Sequence, residues 1–383
     1  MERFEDLVIA GAGYSGLPLA IELGEILKAH PNPDRHRVCV VSPSPVQHLQ
    51  CELYKVLRTG RPRVLPIEAP LKRLNIRWTE GWVSQVNTKD RLLKLRGDSH
   101  SIRYNQIVSA IGSEPILPPI EGLKSQIHPS GMAAKRAFLF ASTSDALGIR
   151  MRLGQMRWSE ASGTRDEFAV IIGAGPNGLE IAGELAALRG RNRRRRVVVI
   201  DQNPELLPGF SPIARRLLKA QLSELGIETL LGSPATHCSS TELQIKNGQV
   251  VPWHLLIVSA GQRTRSLWES QDPAHIETGD LAAPDPLHRT AQRAVQHAEH
   301  LAQRVASDWK MIPDPGEFQD QDWGLLISLG PHHGIARIGP PRSRTLFQGF
   351  ASGRSVPLLK TAAEIRYRSK LGFYRQSISD AWT

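Results

Sequence analysis

Cysteine is scarce in this chain: three in 383 residues, Cys39, Cys51 and Cys238, with no CxxC or CxxxxC spacing between any two. That pattern excludes a disulfide framework, a zinc site built on paired thiols and the cysteine pair of a disulfide reductase, and it fits a reducing, cytoplasmic compartment. No metal site is expected. Long apolar runs are lacking too; the longest are strand-length, so nothing reads as a membrane-spanning helix. Aromatic residues make up only 6% of the chain, and no aromatic-rich basic sheet or recognition-helix pattern occurs, which argues against nucleic acid as a partner. Acid is short relative to base, 37 Asp and Glu against 48 Lys and Arg, for a formal net charge of +11. Such an excess favours anionic surfaces or acidic partners. The densest basic cluster, Arg189, Arg191 and Arg193 to Arg196, reads as a solvated loop between a helix and a strand. The first residues run directly into an apolar strand, leaving no room for a signal or transit peptide.

Against these absences stand two glycine fingerprints of one kind. Gly11-Ala12-Gly13-Tyr14-Ser15-Gly16 follows the apolar run Leu7 to Ala10, and Gly173-Ala174-Gly175-Pro176-Asn177-Gly178 follows Phe168 to Ile172. Each is the strand, tight turn and helix start of a dinucleotide-binding βαβ unit. The first glycine makes the turn, the second admits backbone N–H groups to a pyrophosphate, and the third lets helix pack on strand. Two such units imply two dinucleotides and electron transfer between them. At this length more than one domain is expected. The repeated plan predicts an α/β fold with two Rossmann-like domains, the second inserted into the first. Predicted helices cover 17–28, 176–188, 212–225 and 289–307. Predicted strands include 37–41, 107–110, 197–201 and 255–260, with short strands across 76–95 and 228–251.

The second fingerprint has an acid in the expected place. Asp201 closes the next strand, where a carboxylate binds the two ribose hydroxyls of NAD and repels a 2′-phosphate, favouring NADH. At the first fingerprint the corresponding residue is Ser42, which offers one neutral hydroxyl.

Further segments carry a family resemblance. Residues 48–60, HLQCELYKVLRTG, resemble the "HLFQPLLYQVATG" signature of type II NADH:quinone oxidoreductases. Residues 104–115, including Gly112, resemble that family's "YDYLVIATGSEP", and 205–212 resemble its "RLLPGFSP". Gly279-Asp280 matches its flavin-contacting Gly-Asp, and 291–297 its "AQxAxQQ" quinone-site helix. The resemblance implies a flavoprotein with FAD and NADH as cofactors, hydride passing from NADH to flavin and then electrons to a membrane quinone, without proton pumping. Plastoquinone, demethylphylloquinone, menaquinone and ubiquinone all remain open. It implies an FAD-binding domain over 1–120, an NADH-binding domain over 121–262, a return to the first over 263–310 and a C-terminal region over 311–383. Gly11, Gly13, Gly16, Gly112, Gly279 and Asp280, with Ser42, would hold FAD; Gly173, Gly175, Gly178, Asp201 and Gly261 would hold NADH. Glu180 would orient the nicotinamide or relay a proton, with Glu184 one turn on as a second candidate. Gln292 and Gln296, one turn apart, would line a quinone tunnel; two exposed helix glutamines are the plainer alternative. A homodimer on the cytoplasmic face of a membrane fits the same pattern.

The chain also departs from the family. Only residues 262–278 separate Gly261 from Gly279, and no strand of the family's GxVxVD type is evident there, so that strand is expected to be missing and the sheet edge rebuilt. Thr278 precedes Gly279 where alanine or isoleucine is usual, and His297 replaces a glutamine. These changes keep open a non-catalytic descendant serving as a binding or regulatory protein. Sulfide:quinone oxidoreductase is a third reading, opposed by cysteines that sit elsewhere in the pattern. In the tail, 358–382 mixes apolar residues with Lys360, Arg366, Arg368, Lys370 and Arg375, as a membrane-surface helix or an ordinary surface helix would.

Overall fold

The structure is a computed structural model that describes residues 3–98, 101–127, 135–156, 166–189, 194–269, 272–283, 289–339 and 349–373. The apolar runs of the sequence become two parallel sheets. In the first, strands run in the order Arg77–Glu80, Val38–Ser42, Arg3–Ala10, Ser101–Ser109, followed by the antiparallel strands Leu92–Leu95 and Val83–Asn87. Val38–Ser42 is buried throughout, as a parallel strand covered on both faces must be. Helices Gly16–Ala29 and Ala291–Asp308 bury one face, with Leu7, Ile9, Leu17, Leu23, Ala298 and Val305 in a single cluster. The return of the chain to this sheet after the second unit is thus built into its core.

The shortened segment still closes the sheet edge. No strand of the GxVxVD type forms among its described residues, but the short strand His275–Glu277, directly before Thr278 and Gly279, pairs in parallel with Ile107 to Ser109. The nine-residue strand Ser101–Ser109 is long enough to take two neighbours on one side. Its first residues pair with Leu92–Leu95 and its last with His275–Glu277. The Tyr104 hydroxyl meets His275 Nε2 at 2.9 Å, and Trp268 packs at 5.3 Å from the same imidazole, so a buried polar contact pins the short segment. Before it, Gln262–Thr264 pairs antiparallel with Ser113–Pro115, laying the two connections between the sheets side by side.

The second sheet is parallel throughout, in the order Ala137–Leu139, Leu255–Val258, Glu167–Ile172, Arg195–Ile200, Ile227–Leu230. Helices Thr143–Gln155, Pro176–Arg189 and Pro212–Glu224 cover one face, and the antiparallel strands Ala235–Cys238, Glu242–Ile245 and Val250–Pro252 cover the other. The helix Thr143–Gln155 is absent from the sequence reading, although Ser142 and Asp145 form a reciprocal capping box that announces it. Beyond residue 309 the chain forms a three-stranded sheet, Gly324–Leu329, His333–Ile338 and Gly349–Ser352, then the helix Ser355–Lys370. This sheet sits on the second unit. A Cβ on Gly183 would lie 2.4 Å from the Leu329 backbone, and the Gln221 amide exchanges hydrogen bonds with the Gly334 backbone at 2.9 and 3.1 Å.

The basic cluster is also corrected. Arg189 and Arg195 are buried. Arg189 donates to the carbonyls of Arg195, Leu225 and Gly226, and Arg195 pairs with Glu167. Arg196 pairs with Glu228 at the surface. These arginines fasten the start of a strand rather than forming a solvated loop; Arg191 and Arg193 lie outside the described residues.

Candidate functional site

The two fingerprints fold alike, atom for atom, where it matters. Gly11 has φ +112° and Gly173 φ +110°, a region that glycine alone enters freely. A Cβ on Gly11 would lie 2.4 Å from the Ala110 carbonyl oxygen, and one on Gly173 2.2 Å from that of Ser259. A Cβ on Gly16 would lie 1.9 Å from the Gly11 oxygen, and one on Gly178 1.9 Å from the Gly173 oxygen. At the middle glycines, Gly13 and Gly175, the same construction meets nothing within 4 Å. Each loop is therefore closed toward its own strand and helix and open where a pyrophosphate would approach the helix N-terminus.

The acids around the loops differ. Asp201 ends its strand with Oδ2 accepting from Ala174 N at 2.6 Å and Oδ1 from Asn203 N at 2.7 Å, so its carboxylate sits on the second fingerprint itself. Arg195 and Arg196 stand at the other end of that strand, about 20 Å away at the rise of an extended chain, too far to receive a 2′-phosphate beside Asp201. Ser42 is buried, and its hydroxyl donates to Ser44 O at 2.8 Å and accepts from the Trp78 indole at 3.1 Å.

Gly279 has φ +68°, and Asp280 Oδ2 accepts from the Ser113 hydroxyl at 2.7 Å, just beyond Gly112 (φ +72°). The two departures near here are partners. Thr278 Oγ1 lies 2.8 Å from Ser15 Oγ, in the first fingerprint, and 3.0 Å from His297 Nδ1. Burial, then Arg293, lowers the His297 pKa to about 4, so a neutral imidazole fills this chain of hydrogen bonds. Gly261 (φ +104°) begins the paired connection, its carbonyl accepting from Ile116 N.

Gln292 and Gln296 do share a face, but a stretch of the chain itself crosses it. Both amides donate to the Gln321 carbonyl, at 2.8 and 2.9 Å, and Gln296 Oε1 accepts from Gln321 N at 3.1 Å. Arg293 fixes the same crossing through Asp320 at 2.8 Å and lies over the Phe318 ring.

Glu180 is 3% exposed. Its Oε1 accepts from Ser328 N at 3.2 Å and from Lys360 Nζ, an ammonium brought by the C-terminal helix. One turn on, Glu184 pairs with Arg58 at 3.0 Å. Along the C-terminal helix the contacts continue: Glu364 with Lys55, Tyr367 with the Gln47 amide and with its ring tilted against Tyr14 at 4.8 Å between centroids, and Arg368 on both oxygens of Glu52 at 2.8 and 2.9 Å. Burial opposes the charge of Lys360, but Glu180 outweighs it and raises the lysine pKa. Burial pushes Glu184 up to about 7 against Arg58, and Glu364 up to about 7 against Lys55. Cys51 comes nearer the first fingerprint than its place in the sequence suggests. It is hydrogen-bonded to Tyr14, with burial pushing its thiol up to about 11.

This arrangement divides the tail's basic residues between two faces. Lys360 and Arg368 face inward, and Leu358, Leu359 and Ala362 face out. Lys360, Glu364 and Arg368 repeat every fourth residue, one charged stripe on a helix. That spacing was the available signal, and only the buried acids Glu52 and Glu180 give it meaning. Residues 374–382 of the tail lie outside the described residues.

Fold and site together define a protein built on two dinucleotide-binding units with a charged cluster locked between them. The chain belongs to the pyridine nucleotide-disulphide oxidoreductase family, whose profile matches residues 5–295. Among relatives it is 23% identical to a type II NADH:quinone oxidoreductase of Staphylococcus haemolyticus, over 96% of each chain. It is 26% identical to the type II NADH:quinone oxidoreductase Ndh of Mycobacterium tuberculosis, over 60% of this chain and 59% of that protein. The fold is similar to that of NDH2 from Plasmodium falciparum in complex with NADH, with a TM-score of 0.77 and 15% identity over 99% of this chain and 98% of the other.

Proposed function

We propose that the protein is an FAD-dependent NADH:quinone oxidoreductase of the non-pumping, type II kind. The observation that carries this reading is the pair of matching glycine loops, each open at its middle glycine, with an acid at the strand end of the second alone. Gly11, Gly13, Gly16, Gly112, Gly279 and Asp280 would hold FAD, which when bound supplies a two-electron carrier between a nicotinamide and a quinone. Gly173, Gly175, Gly178, Gly261 and Asp201 would hold NADH, the acid selecting against a 2′-phosphate.

The residues around the carrier have separate duties. Glu180 Oε1 holds the Lys360 proton in a site closed to water, where the pair orients the reacting groups and can pass a proton toward a reduced acceptor. Gln292 and Gln296 fix the crossing at Gln321 and so define the wall against which the acceptor lies. No described helix is long and apolar enough to cross a membrane. Trp323, Ile338, Leu358 and Leu359 are exposed, with Arg366 over the Trp323 ring, a basic and apolar surface suited to anionic headgroups that deliver quinone. The strand His275–Glu277 closes the sheet edge beside Gly279, which supports a formed flavin site over a non-catalytic descendant.

The test is the visible spectrum of the purified protein, repeated with NADH under anaerobic conditions. A flavin spectrum that bleaches with NADH and recovers on adding quinone is expected. A protein that stays colourless with added FAD overturns the proposal.

A further inference from the structure

We propose that Glu80 and Trp82 carry the adenosine end of the first dinucleotide, in place of the strand-end acid that Ser42 lacks. This rests on the flavoprotein reading above. The Ser42 hydroxyl is occupied by Ser44 O and the Trp78 indole, so it is a poor ribose ligand where it stands. The next strand supplies what is missing. Arg77–Glu80 pairs in parallel with Val38–Ser42, with Glu80 in register with Ser42, so an acidic residue stands one strand over, the two backbones about 4.8 Å apart, on the same C-terminal rim. Glu80 is exposed, and no described residue pairs with it. Its neighbour along the strand, Arg77, is engaged at the other end by Glu5.

The chain then turns. Gly81 N donates to Ser42 O at 3.0 Å, and Trp82 O accepts from Arg96 N at 2.8 Å, so the turn is tied to the rim on both sides. A Cβ on Gly81 would lie 2.8 Å from Leu95 Cδ1, which holds the turn close to the sheet. Trp82, immediately after it, is 62% exposed. A carboxylate answers the paired ribose hydroxyls, and an indole held on a fixed turn offers a π-face to any base. FMN, which ends before the adenosine, would touch neither residue.

The experiment strips the purified protein of flavin and titrates it with FAD and with FMN, following flavin fluorescence. Trp82→Ala is expected to weaken FAD about tenfold, a typical loss for one aromatic–base stack, with FMN unchanged. Trp82→Phe should recover most of the loss, which separates stacking from a folding defect. Glu80→Gln should weaken FAD and leave FMN alone. Variants that bind FAD as the wild type does, or that lose FMN equally, overturn this assignment and leave the flavoprotein reading standing. A wild type that binds neither flavin overturns that reading and this assignment with it.

Discussion

Lys360→Met is the sharpest test of the charged cluster. The variant keeps the side-chain length and removes only the ammonium, leaving Glu180 with the Ser328 amide at 3.2 Å as its remaining hydrogen-bond donor. Glu180 then has two courses at pH 7. It can stay ionised, and deleting one partner of a buried pair costs about 3–5 kcal/mol. It can instead take up a proton, which from the ordinary carboxyl value of 4.5 costs about 3.4 kcal/mol at pH 7. The smaller cost sets the limit, so the variant should lose about 3 kcal/mol at pH 7 and only about 1.4 kcal/mol at pH 5.5. Urea unfolding at both pH values measures this. The double variant Glu180→Gln/Lys360→Met, which removes both charges, should return to within about 1 kcal/mol of the wild type. A loss below about 1 kcal/mol at pH 7, or one that does not shrink at pH 5.5, would refute the picture of a desolvated pair.

Other outcomes follow from the same geometry. Glu184 and Glu364 titrate at about 7 in the folded protein, above an ordinary carboxyl at 4.5. The folded state therefore binds more protons across that window, so stability should fall as pH rises from 5 to 8 by up to about 3 kcal/mol per group, and through Glu364 docking of the helix Ser355–Lys370 should weaken. Hydrogen exchange in that helix, corrected for intrinsic rate, should show less protection at pH 8; equal protection refutes it. Gly16→Ala and Gly178→Ala should each cost about 1–3 kcal/mol from overpacking, yet Gly16→Ala should release flavin while Gly178→Ala weakens NADH binding. Calorimetry with each nucleotide distinguishes them, and exchanged phenotypes would reverse the assignment of the two loops. Asp201→Asn should weaken NADH and relax discrimination against NADPH, read as the ratio of the two kcat/KM values; an unaltered ratio removes Asp201 from nucleotide choice.

What was legible in the sequence was what depends on neighbours along the chain. A Cβ on Gly16 or Gly178 would strike the carbonyl of the first glycine of its own loop, so that role is written locally. Apolar runs such as Val38 to Val41 give buried parallel strands because period and length suffice to specify them. The strand His275–Glu277 escaped notice because three residues carry no periodic signal. It exists because Ser101–Ser109 has an unpaired stretch of edge at 107–109 that something must satisfy. The connection shortened, but the hydrogen-bonding demand of that edge did not.

The site was legible only in part, because its acids and bases find each other across distances that no local pattern records. Lys360 reaches Glu180, Arg368 reaches Glu52 and Glu364 reaches Lys55, one helix finding partners in three other elements. A helix with basic residues beside leucines reads as lying on a headgroup layer, since exposed charge and buried apolar surface is the usual solution. Here the usual solution is inverted. The inner face meets acids already buried on the helix Pro176–Arg189 and in the turn Gln50–Glu52, and an apolar face there would leave Glu180 and Glu52 without counter-ions. Unpaired buried carboxylates cost more than exposed leucines. The charged stripe therefore turns inward, and Leu358 and Leu359 are left outside. It follows that any membrane contact of this helix is made by the side opposite its charges, with Arg366 beside Trp323 as its basic element. Leu358→Glu/Leu359→Glu should therefore weaken sedimentation with anionic vesicles and leave the urea midpoint within about 0.5 kcal/mol of the wild type. Unchanged sedimentation would mean that this face is not the one that meets lipid.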